Sequence, residues 1–212
     1  MRYKILLISL VIFLTINCTQ SGTRDKKKSV NKDNNTQKVS SYYHNKNSIV
    51  FNQEYIANKF DFPVGKPDGK GYYNAQKFME NNHLGDDWNS VTGGNSDLGD
   101  PIYSIGNGYV KFAKNIGGDW GKVIRINHKL KNGEIIESLY AHCDSIFVKE
   151  GDWVKIGDKI GTIGDVNGLY YAHLHLEIRE NINLPIGHGY SRNNKGYLDP
   201  TKFIQTNRKI LK

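Results

Sequence analysis

Ala172-His173-Leu174-His175-Leu176-Glu177-Ile178-Arg179 is the stretch on which the fold reading turns. Leucine, leucine and isoleucine recur at every second position, with imidazole, carboxylate and guanidinium groups between them. Side chains alternate across a strand with a period of two, so Leu174, Leu176 and Ile178 face a core while His173, His175 and Glu177 share the opposite face. The segment therefore reads as a β-strand with one face built around a site. On that face Glu177 is either a supporting partner of the histidines or half of a surface ion pair.

Upstream of this strand, short strand-like runs alternate with turn residues. Ile102 to Ile105 meets Gly106-Asn107-Gly108, and Tyr109 to Ala113 precedes Gly117-Gly118. Val123 to Asn127 and Glu134 to Ala141 flank Lys131-Asn132-Gly133, a strong hairpin signal. The stretch from Gly151 to Gly161 holds two Gly-Asp turns six residues apart. Few segments carry a helical period. The pattern predicts a mostly β fold of antiparallel strands, with long active-site loops, a glycine-bounded hairpin, and glycines at corners that need positive φ.

The first 50 residues have a different character. Met1 to Lys4 is basic, and Ile5 to Ile16 is apolar apart from Ser9 and Thr15. That run falls short of the roughly 20 residues a membrane-spanning helix needs, but it suits the core of a signal peptide. It leads into Leu14-Thr15-Ile16-Asn17-Cys18, which resembles the lipobox of bacterial lipoproteins. Asn17 stands where that pattern has a small residue, and Thr15 where it has leucine. The resemblance implies a signal peptide over 1–18, acylation of Cys18, and a membrane-anchored lipoprotein of the cell envelope on its periplasmic or extracytoplasmic face. Residues 19–50 are rich in Lys, Asn, Ser, Thr and Gln without periodicity and read as a flexible basic tether, disordered because it has too little apolar surface to bury. The folded domain is expected over 51–212.

Charge distribution narrows the function classes. Arg2 and Lys4 supply two of the net +8, and residues 19–50 hold seven Lys or Arg against Asp25 and Asp33, so the domain itself is close to neutral. It lacks the basic face of a nucleic-acid reader. Two cysteines are too few for a disulfide framework. Cys143 follows His142 directly and on a strand would face away from it, which reads as a buried, inert thiol rather than a nucleophile.

Three histidine-bearing segments carry the chemistry: His83-Leu84-Gly85-Asp86-Asp87, Tyr140-Ala141-His142 and His173-Leu174-His175. Zinc takes imidazole nitrogen and carboxylate oxygen, and a catalytic zinc keeps three protein ligands and one open position. His83 and Asp87 flank a flexible Gly85 and are able to converge on one ion. No H-E-x-x-H helix supplies a glutamate base. His44, His128 and His188 match no element of the pattern and are expected to be non-catalytic.

The ordered set H-x-G-x-D, Y-x-H and H-x-H resembles the lysostaphin-like family of zinc metalloendopeptidases. The similarity runs from about Phe60 to Ile204 and includes Gly99-Asp100-Pro101-Ile102-Tyr103-Ser104, the paired Gly-Asp turns and Leu198-Asp199-Pro200 followed by Phe203. It implies that His83, Asp87 and His175 ligate one Zn2+ per chain, and that His142 and His173 stand beside the metal as catalytic residues handling protons, with the base unassigned. Asp86 is left as a solvent or loop contact. The implied activity is hydrolysis of peptide bonds in bacterial peptidoglycan for wall remodelling, with peptidoglycan peptides and the membrane as partners. Because some family members act as scaffolds or activators of other wall hydrolases, an occluded or partner-regulated role is the alternative. One departure is the stretch between Asp87 and Gly99, an enlarged loop expected to line or narrow the substrate groove. Biotinyl and lipoyl carriers use similar glycine-bounded hairpins, but Lys155 and Lys159 lack their flanking context.

Overall fold

A computed structural model describes residues 49–208. The signal segment 1–18 with Cys18, nearly all of the 19–50 tether, and His44 lie outside the described residues. Within them run ten strands, β1 (Tyr72–Gln76), β2 (Asp86–Ser90), β3 (Pro101–Tyr103), β4 (Gly108–Gly117), β5 (Gly121–Lys129), β6 (Ile135–Ile146), β7 (Trp153–Val154), β8 (Lys159–Ile163), β9 (Leu174–Arg179) and β10 (Tyr197–Leu198), and one α-helix, α1 (Pro200–Asn207). No helix among the described residues is long and apolar enough to cross a membrane.

The strands form one antiparallel sheet in the order β1-β2-β9-β6-β5-β4-β7, with β10 added to β9 and β3 reaching the sheet through β8. The β5–β6 hairpin forms where the sequence signals it. Gly133 takes φ 90°, and the Asn132 carboxamide oxygen accepts from Glu134 N at 3.0 Å. The two Gly-Asp turns are built alike: Asp152 accepts from Lys149 N at 2.9 Å and Asp158 from Lys155 N at 2.8 Å. The strands they bound pair outward, β7 with β4 and β8 with β3 and β6.

Strand β6 divides its hydrogen bonds. Its first part, Glu137 to Ala141, pairs with β9, and its last part, Cys143 to Ile146, pairs with β8. His142 sits at the division with φ 60°, a left-handed conformation uncommon outside glycine and typical of functional positions held by their surroundings. The sheet therefore forks at a histidine.

Leu174, Leu176 and Ile178 are buried in the main core with Ile124, Ile126, Tyr140, Ile160 and Ile163. The opposite face of β9 is buried too, because the chain between β9 and β10 folds over it. Ile186 from that segment packs on Val123, Leu139 and Ala141. Glu177 is consequently fully buried, and the surface ion pair is excluded. Asp86, expected at solvent or in a loop contact, is also buried. Its neighbour Asp87 faces the site, so strand alternation turns Asp86 inward, where it accepts from Phe78 N, Thr201 N and Thr201 Oγ1. Leu198-Asp199-Pro200 leads into α1: the Asp199 carboxylate accepts from Lys202 N at 2.9 Å and Pro200 occupies the first turn.

His128 is a core residue. Its Nδ1–H donates to the Asn107 carbonyl at 2.8 Å, and Nε2 lies 2.7 Å from Ser138 Oγ, which is 3.1 Å from the Tyr140 hydroxyl. Complete burial pushes its pKa down to about 4 from the usual 6.5. Because the folded-state value is lower, the unfolded chain takes up the proton first as pH falls. The His128 contribution to stability is thus complete above about pH 6.5 and is lost towards about pH 4. In an NMR titration the His128 ring should remain neutral to about pH 4; a midpoint near 6.5 would contradict the buried, neutral ring.

Candidate metal centre and cleft

Register places the site. Asp87 on β2 is the cross-strand partner of His175 on β9, and Ala141 on β6 pairs with His175 from the other side. Cross-strand partners present neighbouring side chains to one face. His83 reaches the same point from just before β2, where its backbone bridges Tyr190. His83 Nε2, Asp87 Oδ1 and His175 Nδ1 converge: 2.9 Å separates the two nitrogens, and Oδ1 lies 3.3 Å from His83 and 2.9 Å from His175. These residues are the one group of three or more metal-capable side chains gathered among the described residues.

The donor set fits a divalent metal ion. Ligands about 2.0–2.1 Å from a tetrahedral ion are separated by roughly 3.3 Å, close to the spacing seen here. Burial would raise the Asp87 carboxyl, but hydrogen bonds from His175 and His83 outweigh it and hold the group well below the usual carboxylate range. Behind the three side chains, His175 Nε2 lies 3.2 Å from Glu177 Oε1, a carboxylate support of the kind that would fix the orientation of a ligand imidazole.

His142 and His173 stand beside this group, their ring centroids 4.8 Å apart, and His142 is 5.7 Å from His175. His173 Nδ1–H donates to the Tyr171 carbonyl at 2.7 Å, and Nε2 lies 3.9 Å from Asp87 Oδ2. His142 Nδ1 is buried without a hydrogen-bond partner. Burial, reinforced by His175 and His173, pushes the His142 pKa down to about 3. Cys143 points away into the core, and burial raises its thiol to about 12, so it is no nucleophile.

Two glycines bring these side chains together by close approach rather than flexibility. A methyl group at Gly85 would lie 2.4 Å from the Leu176 carbonyl oxygen and 2.9 Å from His175 Cε1. At Gly164 it would lie 2.6 Å from both the His142 carbonyl oxygen and Asp144 N. Gly164 also bridges His173, so it fits into the fork of β6 and draws His173 towards His142. The flexibility expected of Gly85 is replaced by tight packing against β9.

The group lies at the bottom of a cleft of about 660 Å³. Its walls come from the β4–β5 connection (116–120), the 170–171 segment and the 187–190 segment. Trp120 Nε1 donates to the Gly187 carbonyl at 3.1 Å, and its ring meets His175 edge-on at 5.4 Å and stacks near His142. Tyr170 lies 5.2 Å from His142, and Tyr190 lies 5.1 Å from His83. The sequence reading missed Trp120, Tyr170 and Tyr190, and His188, which matched no motif, also lines a wall. The only local signals were the glycines that bracket these stretches. Of the stretch between Asp87 and Gly99, Asn89 alone lines the cleft; further along, Asn95 accepts from Ala172 N at 2.8 Å, behind the wall.

Residues 85–188 match Peptidase family M23. Two NlpD proteins are similar over 81 residues: the lipoprotein NlpD of Yersinia enterocolitica at 41% identity, covering 38% of this chain and 78% of that protein, and the murein hydrolase activator NlpD of Escherichia coli at 38%, covering 38% and 20%. The peptidoglycan DD-endopeptidase ShyB of Vibrio cholerae is 32% identical over 106 residues, 46% of this chain and 24% of that protein. Among solved structures, the catalytic domain of the antimicrobial peptidase lysostaphin from Staphylococcus simulans aligns over 72% of this chain and 93% of its own, with 24% identity and a TM-score of 0.43.

Gly85→Ala and Gly164→Ala should each destabilise the domain by about 1–3 kcal/mol through overpacking. Thermal unfolding should show the loss as a Tm lower by several degrees; an unchanged Tm in either variant would contradict the close approach.

Proposed function

Since this chain belongs to peptidase family M23, we propose that it is a zinc-dependent endopeptidase that hydrolyses peptide bonds of bacterial peptidoglycan during wall remodelling. The observation that carries this reading is the convergence of His83 Nε2, Asp87 Oδ1 and His175 Nδ1 at the floor of an open cleft. Two imidazoles and a carboxylate with a free side towards solvent form the ligand set of a catalytic zinc. When bound there, zinc supplies Lewis acidity that polarises a carbonyl and makes water more acidic.

The chain's own residues supply the remaining roles. His173 donates Nδ1–H to the Tyr171 carbonyl, which leaves Nε2 as the basic nitrogen on the side of Asp87. We assign His173 as the base that takes the proton of the attacking water and returns it to the departing amine as the C–N bond breaks. His142, neutral in its buried position, offers an N–H to the oxygen on which negative charge develops. Trp120, Tyr170 and Tyr190 provide the walls on which a peptide lies. Glu177 holds His175 in the ligating orientation.

Anchoring through acylated Cys18 and a tether over 19–50 would place the domain at the cell envelope within reach of the wall. The Yersinia relative's name as a lipoprotein supports this placement. A second reading rests on the Escherichia coli relative, named a murein hydrolase activator. The intact convergent ligand set favours catalysis by this chain, while activation of another hydrolase would use the same cleft as a docking surface.

Purified protein should release soluble peptides from isolated peptidoglycan with zinc and lose that release with chelator. His175→Ala should lose zinc and release together. His142→Ala should keep zinc, yet lower release by roughly 10²-fold or more. Full turnover by His142→Ala would remove the role given to that residue. One bound zinc per chain without release, together with stimulation of a separate amidase, would favour the activator.

A further inference from the structure

Arg179 belongs to no motif used above, yet it is fully buried directly behind the site. Its guanidinium is shared between two structures. Nε donates to Glu177 Oε2 at 2.6 Å, and the other oxygen of Glu177 holds His175. The same guanidinium donates through one terminal nitrogen to the Pro185 carbonyl at 2.9 Å, and through the other to the Ile186 carbonyl at 2.8 Å. Those carbonyls lead into the 187–190 wall, which Trp120 fastens at Gly187 and Leu84 N fastens at Gly189.

Arg125 extends the network without touching the ligand. It bonds Glu137 Oε1 at 2.8 Å and the Leu184 carbonyl at 2.9 Å. Arg179 lies 3.8 Å from Glu137, so two guanidiniums and two carboxylates balance one another in a buried row. Such a row is a poor source of net stability, because apolar residues of similar volume serve as well or better. What a planar fork adds is geometry: it fixes several acceptors at defined directions, which a lysine cannot reproduce.

We propose that Arg179 is a positioning residue that couples the metal ligand to the cleft wall: through Glu177 it sets the ring of His175, and through Pro185 and Ile186 it sets the 184–190 segment that borders the substrate. Metal occupancy and wall order are then linked properties. Ordering the wall preorients His175, and filling the site tightens the wall, with the reciprocity that linkage requires. This inference rests on the assignment of His83, Asp87 and His175 as zinc ligands.

The test uses the full chain and Zn2+ alone. Zinc affinity is measured by competition with a chromogenic chelator, and amide hydrogen exchange is followed over 181–190 with and without zinc. In the wild type, zinc should slow exchange of the 184–190 amides. Arg179→Lys should bind zinc about 10–100-fold more weakly, the range for loss of a supporting contact to a ligand, and at saturating zinc its wall amides should still exchange faster. Arg125 clamps the same wall but does not bond Glu177, so Arg125→Lys should speed wall exchange and leave zinc affinity within about twofold.

Arg179→Lys with wild-type zinc affinity, or Arg125→Lys with an equal loss, overturns the coupling. If Arg179→Lys does not fold, Glu177→Gln replaces it, and unchanged wall exchange in that variant overturns the proposal equally. Failure of the wild type to bind zinc overturns the ligand assignment itself. Tight zinc binding in the wild type with no effect of Arg179→Lys overturns only the role given to Arg179.

Discussion

On the edge away from β5, strand β6 does not keep one neighbour along its whole length, and the site exists because of that constraint. Below His142 its partner is β9; above His142 its partner is β8. Where the partners diverge, the backbone takes a left-handed turn and the sheet opens. A continuous sheet would have covered this point with another strand. The opening instead admits imidazoles from three segments, and two glycines set how closely those segments approach. Strand register sets Asp87 beside His175, and close packing at Gly85 and Gly164 sets how near the neighbouring segments approach.

The electrostatics follow the same plan. Asp87 is kept ionised by the histidines around it despite burial, and His142 is kept neutral by burial and by its imidazole neighbours. Opposite tendencies imposed on adjacent groups set a charged carboxylate beside a neutral imidazole within a few ångströms. Deeper in the protein, the charges of Glu177, Arg179, Glu137 and Arg125 cancel, so the supporting structure adds little net field to the site. The thiol of Cys143 adjoins His142 in sequence but faces the core, which keeps its chemistry apart.

Much of this was legible in the sequence where a short period carried it. Alternation from 172 to 179 identified both the strand and its face, and the Asn-Gly turn located the β5–β6 hairpin. The ordered histidine segments identified the side chains that the fold brings together. Three-dimensional closure was not legible. Trp120, Tyr170 and Tyr190 come from loops with no periodicity, and their neighbours lie far away in the chain: Gly187 for Trp120, His142 for Tyr170 and Gln76 for Tyr190. Gly85 looked like a flexible link because sequence reports the absence of a side chain but not the carbonyl that occupies its place. The Asp87–Gly99 stretch looked like a groove wall from its length alone, whereas only Asn89 at its start reaches the cleft and Asn95 holds the rest behind Ala172. Burial of the second face of β9 depended on the later chain folding back, which alternation within the strand cannot report.

The three walls of the cleft differ in how freely they are able to diverge over evolutionary time. The tip of the β4–β5 connection, at Ile116 to Asp119, projects to solvent, and so does Tyr171; neither is tied to the buried charge row. Drift in side-chain composition there alters the lining of the cleft and leaves His83, Asp87 and His175 undisturbed. The 184–190 wall has no such freedom, since its carbonyls are held by Arg125 and Arg179, and Arg179 also bonds Glu177 on β9. A lineage would therefore diversify along one side of the cleft and inherit the other side nearly intact, together with the convergence of His83, Asp87 and His175.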